Sequence, residues 1–195
     1  MRIIGGQAAG RLLKVPPGYD VRPTPDLVRQ AIFNSLGARV VDARVLDLFS
    51  GSGALGLECL SRGAGSVFSV EKSNRHAVMI RQNLESSGLP TENYEIRVQD
   101  AFTAIHQLAE MGRTFDVIMA DPPFGEKNIG RRSNSLSQKL LDDERLPKLL
   151  VPSGLFVLGH TKRDTLTLTD AWRELKVLRH GDSTIRFLEH AAASA

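Results

Sequence analysis

The stretch Val45-Leu46-Asp47-Leu48-Phe49-Ser50-Gly51-Ser52-Gly53-Ala54-Leu55-Gly56 decides the fold. A short apolar run feeds G-x-G-x-x-G, and the helical pattern that follows, 54–61, is stopped by Gly63. This is a strand, a tight turn and a helix, in which glycines let backbone approach a ligand and the helix N-terminus lies beyond it. The pattern alone suits nicotinamide-dinucleotide enzymes as well, or a turn that binds nothing. Asp47 narrows the choice. A carboxylate at the end of the strand repels a pyrophosphate but pairs, directly or through water, with a cationic amino-acid group. S-adenosylmethionine (SAM) carries such an ammonium and has no pyrophosphate.

Outward from this turn, strand and helix signals alternate. Residues 67–70 read as a strand and 76–86 as a helix ended by Gly88, which completes a βαβ unit. Strands over 94–98 and 115–120 flank a helix over 101–111. A helix over 136–150, broken by Pro152-Ser153-Gly154, precedes a strand over 155–159. Such alternation predicts an α/β fold with a parallel sheet covered on both faces. The tail differs: β-like runs 172–178 and 183–189 are joined by Arg179-His180-Gly181-Asp182, which leaves no room for a crossover, so they form an antiparallel hairpin. Upstream, MRIIGG and GRLLKVP read as two short strands around a glycine turn, appended to the domain. A proline-punctuated connector follows, and then a helix capped by Asp26 and stopped by Gly37. The expected organisation is a hairpin and connector over 1–25, one α/β domain over 26–190 and a frayed end over 191–195.

Two further strand ends carry acids. Glu71 closes the second strand, 20 residues after Gly51, where a carboxylate accepts both hydroxyls of an adenosine ribose; a surface ion pair with the adjacent Lys72 is the alternative. Asp100 and Ala101 end the third strand, where a carboxylate and a backbone N–H read the adenine edge. Asp100 also suits the N-cap of the next helix.

The sharpest signal is Asp121-Pro122-Pro123-Phe124. Two prolines after an apolar strand remove two donors and stiffen the chain. An exocyclic amine on a nucleic-acid base is conjugated and weakly nucleophilic, so its lone pair must be aimed at the methyl donor. The Asp121 carboxylate and the Pro122 carbonyl can each accept one of its N–H bonds while Phe124 stacks on the base. The polar stretch 125–135 reads as a loop beside the site, with Arg131 and Arg132 as phosphate contacts.

With 195 residues, 42% hydrophobic and 24% charged, the chain can bury one core without disulfides or metals. Cys59, the only cysteine, has no internal partner, in keeping with a reducing compartment. Neither a membrane span nor a signal peptide is legible, so a cytoplasmic location is expected. None of the five histidines stands in H-x-x-H spacing, and no metal is expected. Net charge is +3, but its distribution is uneven. Residues 1–40 hold Arg2, Arg11, Lys14, Arg22, Arg29 and Arg39 against Asp20 and Asp26. A solvated basic face is one reading, but a basic arm beside a catalytic domain is also how phosphate backbones are held, and Arg2, Arg11, Lys14 and Arg22 are the candidates for contacts with a nucleic-acid backbone.

The order Arg2-Ile3-Ile4-Gly5-Gly6, Gly10-Arg11-Leu12-Leu13, the helix start from Arg22-Pro23-Thr24 to Asn34, the Asp47 to Gly53 turn and Asp121 to Phe124 resembles the RsmD family. These are bacterial methyltransferases that modify N2 of a guanine in 16S ribosomal RNA. The resemblance implies a Rossmann-like, seven-stranded, mostly parallel sheet with an antiparallel C-terminal hairpin and an added N-terminal β-hairpin. It implies SAM as cofactor, with Asp47, Phe49, Gly51, Gly53, Glu71, Asp100 and Ala101 lining its site, Thr24 nearby, and Asp121 to Phe124 holding the guanine. The implied partner is 16S rRNA in the small subunit or its assembly intermediate, met by a monomer. The rivals are methylation of adenine N6 or another exocyclic amine in DNA or RNA, a non-catalytic RNA-binding protein on this fold, and, remotely, an NAD-dependent oxidoreductase. The chain departs from the family pattern at Thr24-Pro25, where two threonines are usual, at Gln30, where glutamate is usual, and at His180, where tyrosine is usual. The lost carboxylate at Gln30 is expected to weaken a contact near the substrate.

Overall fold

Every position of strand β1 (Arg44–Leu48) after its first is buried, as a parallel strand covered on both faces should be. The computed structural model describes residues 1–15, 24–123 and 131–194. Arg22 and Phe124, and the expected loop as far as Gly130, lie outside the described residues. The chain divides into two compact units, Met1–Ala101 and Phe102–Ala195.

The first unit holds α1 (Asp26–Leu36), β1, α2 (Ala54–Ser61), β2 (Ser66–Glu71), α3 (Asn74–Ser87) and β3 (Tyr94–Val98). Its strands run parallel in the order β3-β2-β1, with Asp47 opposite Ser69 and Glu71 opposite Val98. The predicted stops hold: Gly88 takes the left-handed conformation just past α3, at φ 73°. Helix α1 corrects one expectation. Pro25 occupies the cap position and Asp26 is the first helical residue, making no cap hydrogen bond. Asp26 instead accepts from Arg29 at 2.7 Å and lies 3.5 Å from Arg2. The hydrogen bond from Arg29 is the main reason that its carboxyl is held below the usual range.

A second correction concerns the N-terminal hairpin, which is no appendage. It narrows to one antiparallel bridge, Arg2 to Leu12, flanked by the Ile3 N–H to Arg11 carbonyl and Leu13 N–H to Met1 carbonyl bonds, both 2.9 Å. This ribbon lies on α2, which is why a helix with the acidic residue Glu58 at its middle is buried there. The N–H groups of Ile4 and Gly5 donate to the two Glu58 carboxylate oxygens at 2.7 and 2.8 Å. The Ala8 N–H donates to Ser61 Oγ at 2.9 Å, and that hydroxyl donates to the Gly5 carbonyl at 2.6 Å. Gly6 sits at φ 76°, and a Cβ there would overlap the Ser61 carbonyl oxygen, so glycine is required by both conformation and contact.

The second unit takes up α4 (Ala101–Glu110) from Phe102 onward, then β4 (Phe115–Ala120), α5 (Leu136–Asp142), β5 (Leu150–Thr161), β6 (Trp172–His180) and β7 (Ser183–His190). The order is β4-β5-β7-β6, with β4 and β5 parallel and both pairings of β7 antiparallel. The seven strands form the expected mixed fold, with the last hairpin antiparallel. Here the long helix expected over 136–150 is overturned. Helix α5 stops at Asp142, and Leu146–Leu149 is a 3-10 turn with Pro147 inside it. Proline lacks the N–H that an α-helix interior needs. The Pro152-Ser153-Gly154 breaker is not a break either: it falls within β5. The register passes from Phe115 opposite Leu150 to Val117 opposite Leu155, so these residues form an irregular bulge. Trp172 closes the core, its indole N–H donating to the Leu141 carbonyl at 3.1 Å and its ring 5.1 Å from that of Phe156. At the tail, where a frayed end is expected, Ala191–Ser194 forms a 3-10 turn and the Ala191 N–H donates to the Ala171 carbonyl at 2.9 Å. Among the described residues no helix is long and apolar enough to cross a membrane.

Candidate cofactor and substrate site

After β1 the chain turns through three left-handed residues, Phe49 at φ 60°, Gly51 at 57° and Gly53 at 79°. Phe49 lacks the freedom of glycine, so its conformation must be enforced by its neighbours. Buried serines do part of this work. Ser69 Oγ donates to Ser50 Oγ at 2.6 Å, Ser50 Oγ donates to the Asp47 carbonyl at 2.8 Å, and the Gly53 N–H donates to the Ser50 carbonyl at 2.7 Å. Glu71 then clamps the turn from the next strand. Its Oε2 accepts from the Gly51 N–H and its Oε1 from the Ser73 N–H, both at 2.8 Å, with His76 Nδ1 3.3 Å away. The alternative pairing of Glu71 with Lys72 is not adopted: the Lys72 ammonium lies 3.9 Å from Asp100.

Asp47 is 1% exposed and accepts from the Gly56 N–H at 3.1 Å. Asp47, Phe49, Gly51, Gly53 and Glu71 are thus brought together around one turn. Asp100, half-buried, and Ala101, buried, follow the third strand of the same sheet. Thr24, partly exposed, precedes α1. Carboxylates at the ends of β1, β2 and β3 suit a ligand with an ammonium, ribose hydroxyls and an adenine amine, and repel phosphate. A carboxylate offers about four acceptor sites, so Glu71 retains capacity for a ribose hydroxyl while bracing Gly51. These residues therefore fit SAM.

Tyr94 was not legible as part of this site. Its side chain is buried beneath the glycine turn, and burial, followed by the charge of Asp47, pushes its phenol well above the ordinary value, so it stays protonated. Burial likewise raises the Cys59 thiol, which is an inert core group. A Cβ at Gly56 would lie 2.5 Å from the Tyr94 hydroxyl and 3.0 Å from Asp47 Oδ2. Gly56→Ala is therefore expected to destabilise the protein by about 1–3 kcal/mol and to weaken SAM binding about tenfold, the equivalent of about 1.4 kcal/mol. Calorimetric titration and a thermal melt check this; unchanged affinity would show that the turn tolerates displacement of Asp47.

The hairpin carries the candidate RNA contacts. Arg2 is exposed beside Asp26, Arg11 is exposed, and the Lys14 ammonium donates to Gln82 at 3.3 Å. Asn83, buried on α3, ties this element to the cofactor turn. It accepts from the Lys14 N–H at 2.8 Å and donates to the Lys14 carbonyl at 3.0 Å and to the Ser52 carbonyl at 2.9 Å. A polar residue at an apolar helix position was the available signal for it.

In the second unit, Asp121 and Pro122 follow directly on β4; Asp121 is half-exposed, Pro122 buried and Pro123 exposed. Gly159 of β5 leaves room for the Asp121 carboxylate. Next to it, buried His160 donates from Nδ1 to the Thr161 carbonyl at 2.9 Å and accepts from Arg186 Nε at 3.1 Å. Burial, then the Arg186 charge, lowers its pKa from the ordinary 6.5, which keeps it neutral. Arg132 is held by Asp142 at 2.6 Å, and Arg131 is exposed. Among the described residues no group of three or more potential ligands could hold a metal ion.

A dinucleotide-binding fold keeps acids away from the turn that meets pyrophosphate, whereas this one places Asp47 there. Fold and site together define a Rossmann-like, SAM-dependent methyltransferase. A family model described as Conserved hypothetical protein 95 matches residues 1–189, and the chain belongs to that family, the RsmD family. The Ribosomal RNA small subunit methyltransferase D of Escherichia coli strain K12 is 41% identical over 147 residues, which covers 75% of this chain and 72% of that protein. Its Haemophilus influenzae namesake is 31% identical over 190 residues, covering 97% and 94%. The solved structure of yhhF from Escherichia coli matches with a TM-score of 0.78 at 32% identity over 98% of both chains.

Proposed function

We propose that this chain transfers the methyl group of SAM to N2 of a guanine in 16S rRNA, acting as a monomer on the small subunit or its assembly intermediate. The enzyme class, the cofactor and the small-subunit RNA substrate follow from family membership. The family match over residues 1–189 carries the finer reading, because it takes in the hairpin and the Asp121-Pro122-Pro123 run together.

SAM supplies an activated methyl group on a sulfonium, so neither a metal nor a strong base is required. Asp47 holds the ammonium of the amino-acid portion, Glu71 the ribose, and Asp100 with the Ala101 N–H the adenine. Asp121 and the Pro122 carbonyl accept the two N–H bonds of the substrate amine and aim its lone pair; the proton leaves after transfer. Phe124 stacks on the base. Arg2, Arg11, Lys14, Arg22, Arg131 and Arg132 meet phosphates. An oxidoreductase has no use for Asp47 at the turn or for the proline pair.

Labelled SAM incubated with naked 16S rRNA, small subunits or genomic DNA tests the assignment, with nucleosides identified by mass spectrometry. Label is expected in N2-methylguanosine from the small-subunit RNA. Label on adenine N6 of DNA instead would overturn the substrate and leave the amine chemistry standing.

A further inference from the structure

Strands β4 and β5 pair in parallel through Ala120 opposite Leu158, so Asp121 and Gly159 stand one step beyond that pair. An alanine Cβ built at Gly159 would overlap Asp121 Oδ1 and come within 3.1 Å of its Cγ. Among the described residues no other requirement for glycine is found here: Gly159 is not among the residues of positive φ, and the third-nearest atom is the Asp121 Cα at 3.5 Å, an ordinary contact. Nor can the backbone of Gly159 retreat. It pairs with Ile185 of β7, and its carbonyl accepts from Ser137 Oγ of α5 at 3.3 Å. Any side chain at this position must therefore move the carboxylate.

We propose that Gly159 is a positioning residue for methyl transfer, its missing side chain forming the seat that sets the direction of the Asp121 acceptor oxygens. The proposal rests on the assignment of Asp121 as an acceptor for the substrate amine. Asp121 is half-exposed and its carboxylate is a short, rotatable end. A methyl group at position 159 turns it aside at little cost to the fold. Its oxygens, however, move on the order of 1 Å, enough to cost up to about a hundredfold in rate. A glycine that served packing alone would show the reverse pattern, a loss of stability independent of Asp121.

The test is a double-mutant cycle on the whole protein, comparing wild type, Gly159→Ala, Asp121→Ala and the double variant in transfer from labelled SAM to small-subunit RNA. Gly159→Ala is expected to lower kcat about 10- to 100-fold, with KM for RNA and calorimetric affinity for SAM within about twofold of wild type. The double variant is expected to be no slower than Asp121→Ala, since neighbours that act through one contact are non-additive. A Gly159→Ala kcat within about twofold of wild type, or a full loss added on top of Asp121→Ala, overturns the proposal. Wild-type turnover by Asp121→Ala would instead overturn the assignment of Asp121, so the two failures are distinct. If Gly159→Ala melts early, the same cycle on melting temperature decides: the loss should vanish when residue 121 is alanine, and a loss that persists refutes the seat.

Discussion

Asp121→Ala is expected to lower turnover about a hundred- to a thousandfold, the usual cost of removing one pre-aimed polar group from a reacting centre, while SAM affinity stays close to wild type. The carboxylate belongs to neither the glycine turn nor the strand ends that fit the cofactor, so ground-state binding of SAM should not register its loss. The side chain is half-exposed, and its removal opens space above Gly159, so a thermal melt accompanies the kinetics to separate loss of chemistry from loss of fold. Asp121→Asn keeps one acceptor oxygen in nearly the same place but loses the charge that strengthens the hydrogen bond. It should fall between wild type and alanine. Steady-state kinetics with small-subunit RNA, paired with calorimetry on SAM, reads both effects. A kcat for Asp121→Ala within about threefold of wild type would remove Asp121 from the chemistry, because a group that contacts the reacting amine cannot be so cheaply deleted.

The parallel half of the fold was legible because its signals are local. The glycine turn, the stop at Gly88, the alternation over Tyr94–Val98 and the apolar run at Phe115–Ala120 each specify themselves within a few residues. The errors arose where the deciding contact lies far along the chain. Pro152-Ser153-Gly154 looks like a break, and only the register against β4 turns it into a bulge. Glu58 looks like the solvent face of a helix until the hairpin, more than 50 residues earlier, is laid over it. Site residues behaved in the same way. Asp47 and Glu71 stand at strand ends, which sequence marks, whereas Tyr94 and Gly159 act through cross-strand neighbours that no spacing reveals. The departures from the family pattern also become interpretable. Gln30 and His180 are exposed. Arg29, beside the missing carboxylate, is paired with Asp26, so the buried cluster around it does not depend on residue 30.

That cluster carries the largest expected effect on stability. Glu58 and Arg29 both have fully buried side chains. Glu58 accepts from the N–H groups of Ile4 and Gly5 and from Arg62 Nε at 2.7 Å, and stands 4.0 Å from Arg29. Arg29 in turn donates to the Arg2 carbonyl at 2.6 Å. Glu58 therefore shares the buried Arg29 charge with Asp26, which is hydrogen-bonded to it at 2.7 Å, and fastens the hairpin that bears Arg2, Arg11 and Lys14. Glu58→Ala would leave two backbone donors and Arg62 without that acceptor and remove a negative charge from beside buried Arg29, a loss of about 3–5 kcal/mol, or roughly 6–20 °C in Tm for a chain of this size. Glu58→Gln should be milder but not neutral, since its amide carbonyl can serve one N–H while its NH2 group faces the other donor. The consequence for function separates this contact from generic packing. If Glu58 seats the hairpin, both variants should lose affinity for RNA by a larger factor than for SAM, and the loss should be visible well below Tm. Thermal melts together with RNA and SAM titrations check it. A Glu58→Ala protein that melts within about 2 °C of wild type would mean that the contacts of the hairpin with Ser61, Asn83 and Arg29 suffice to hold it.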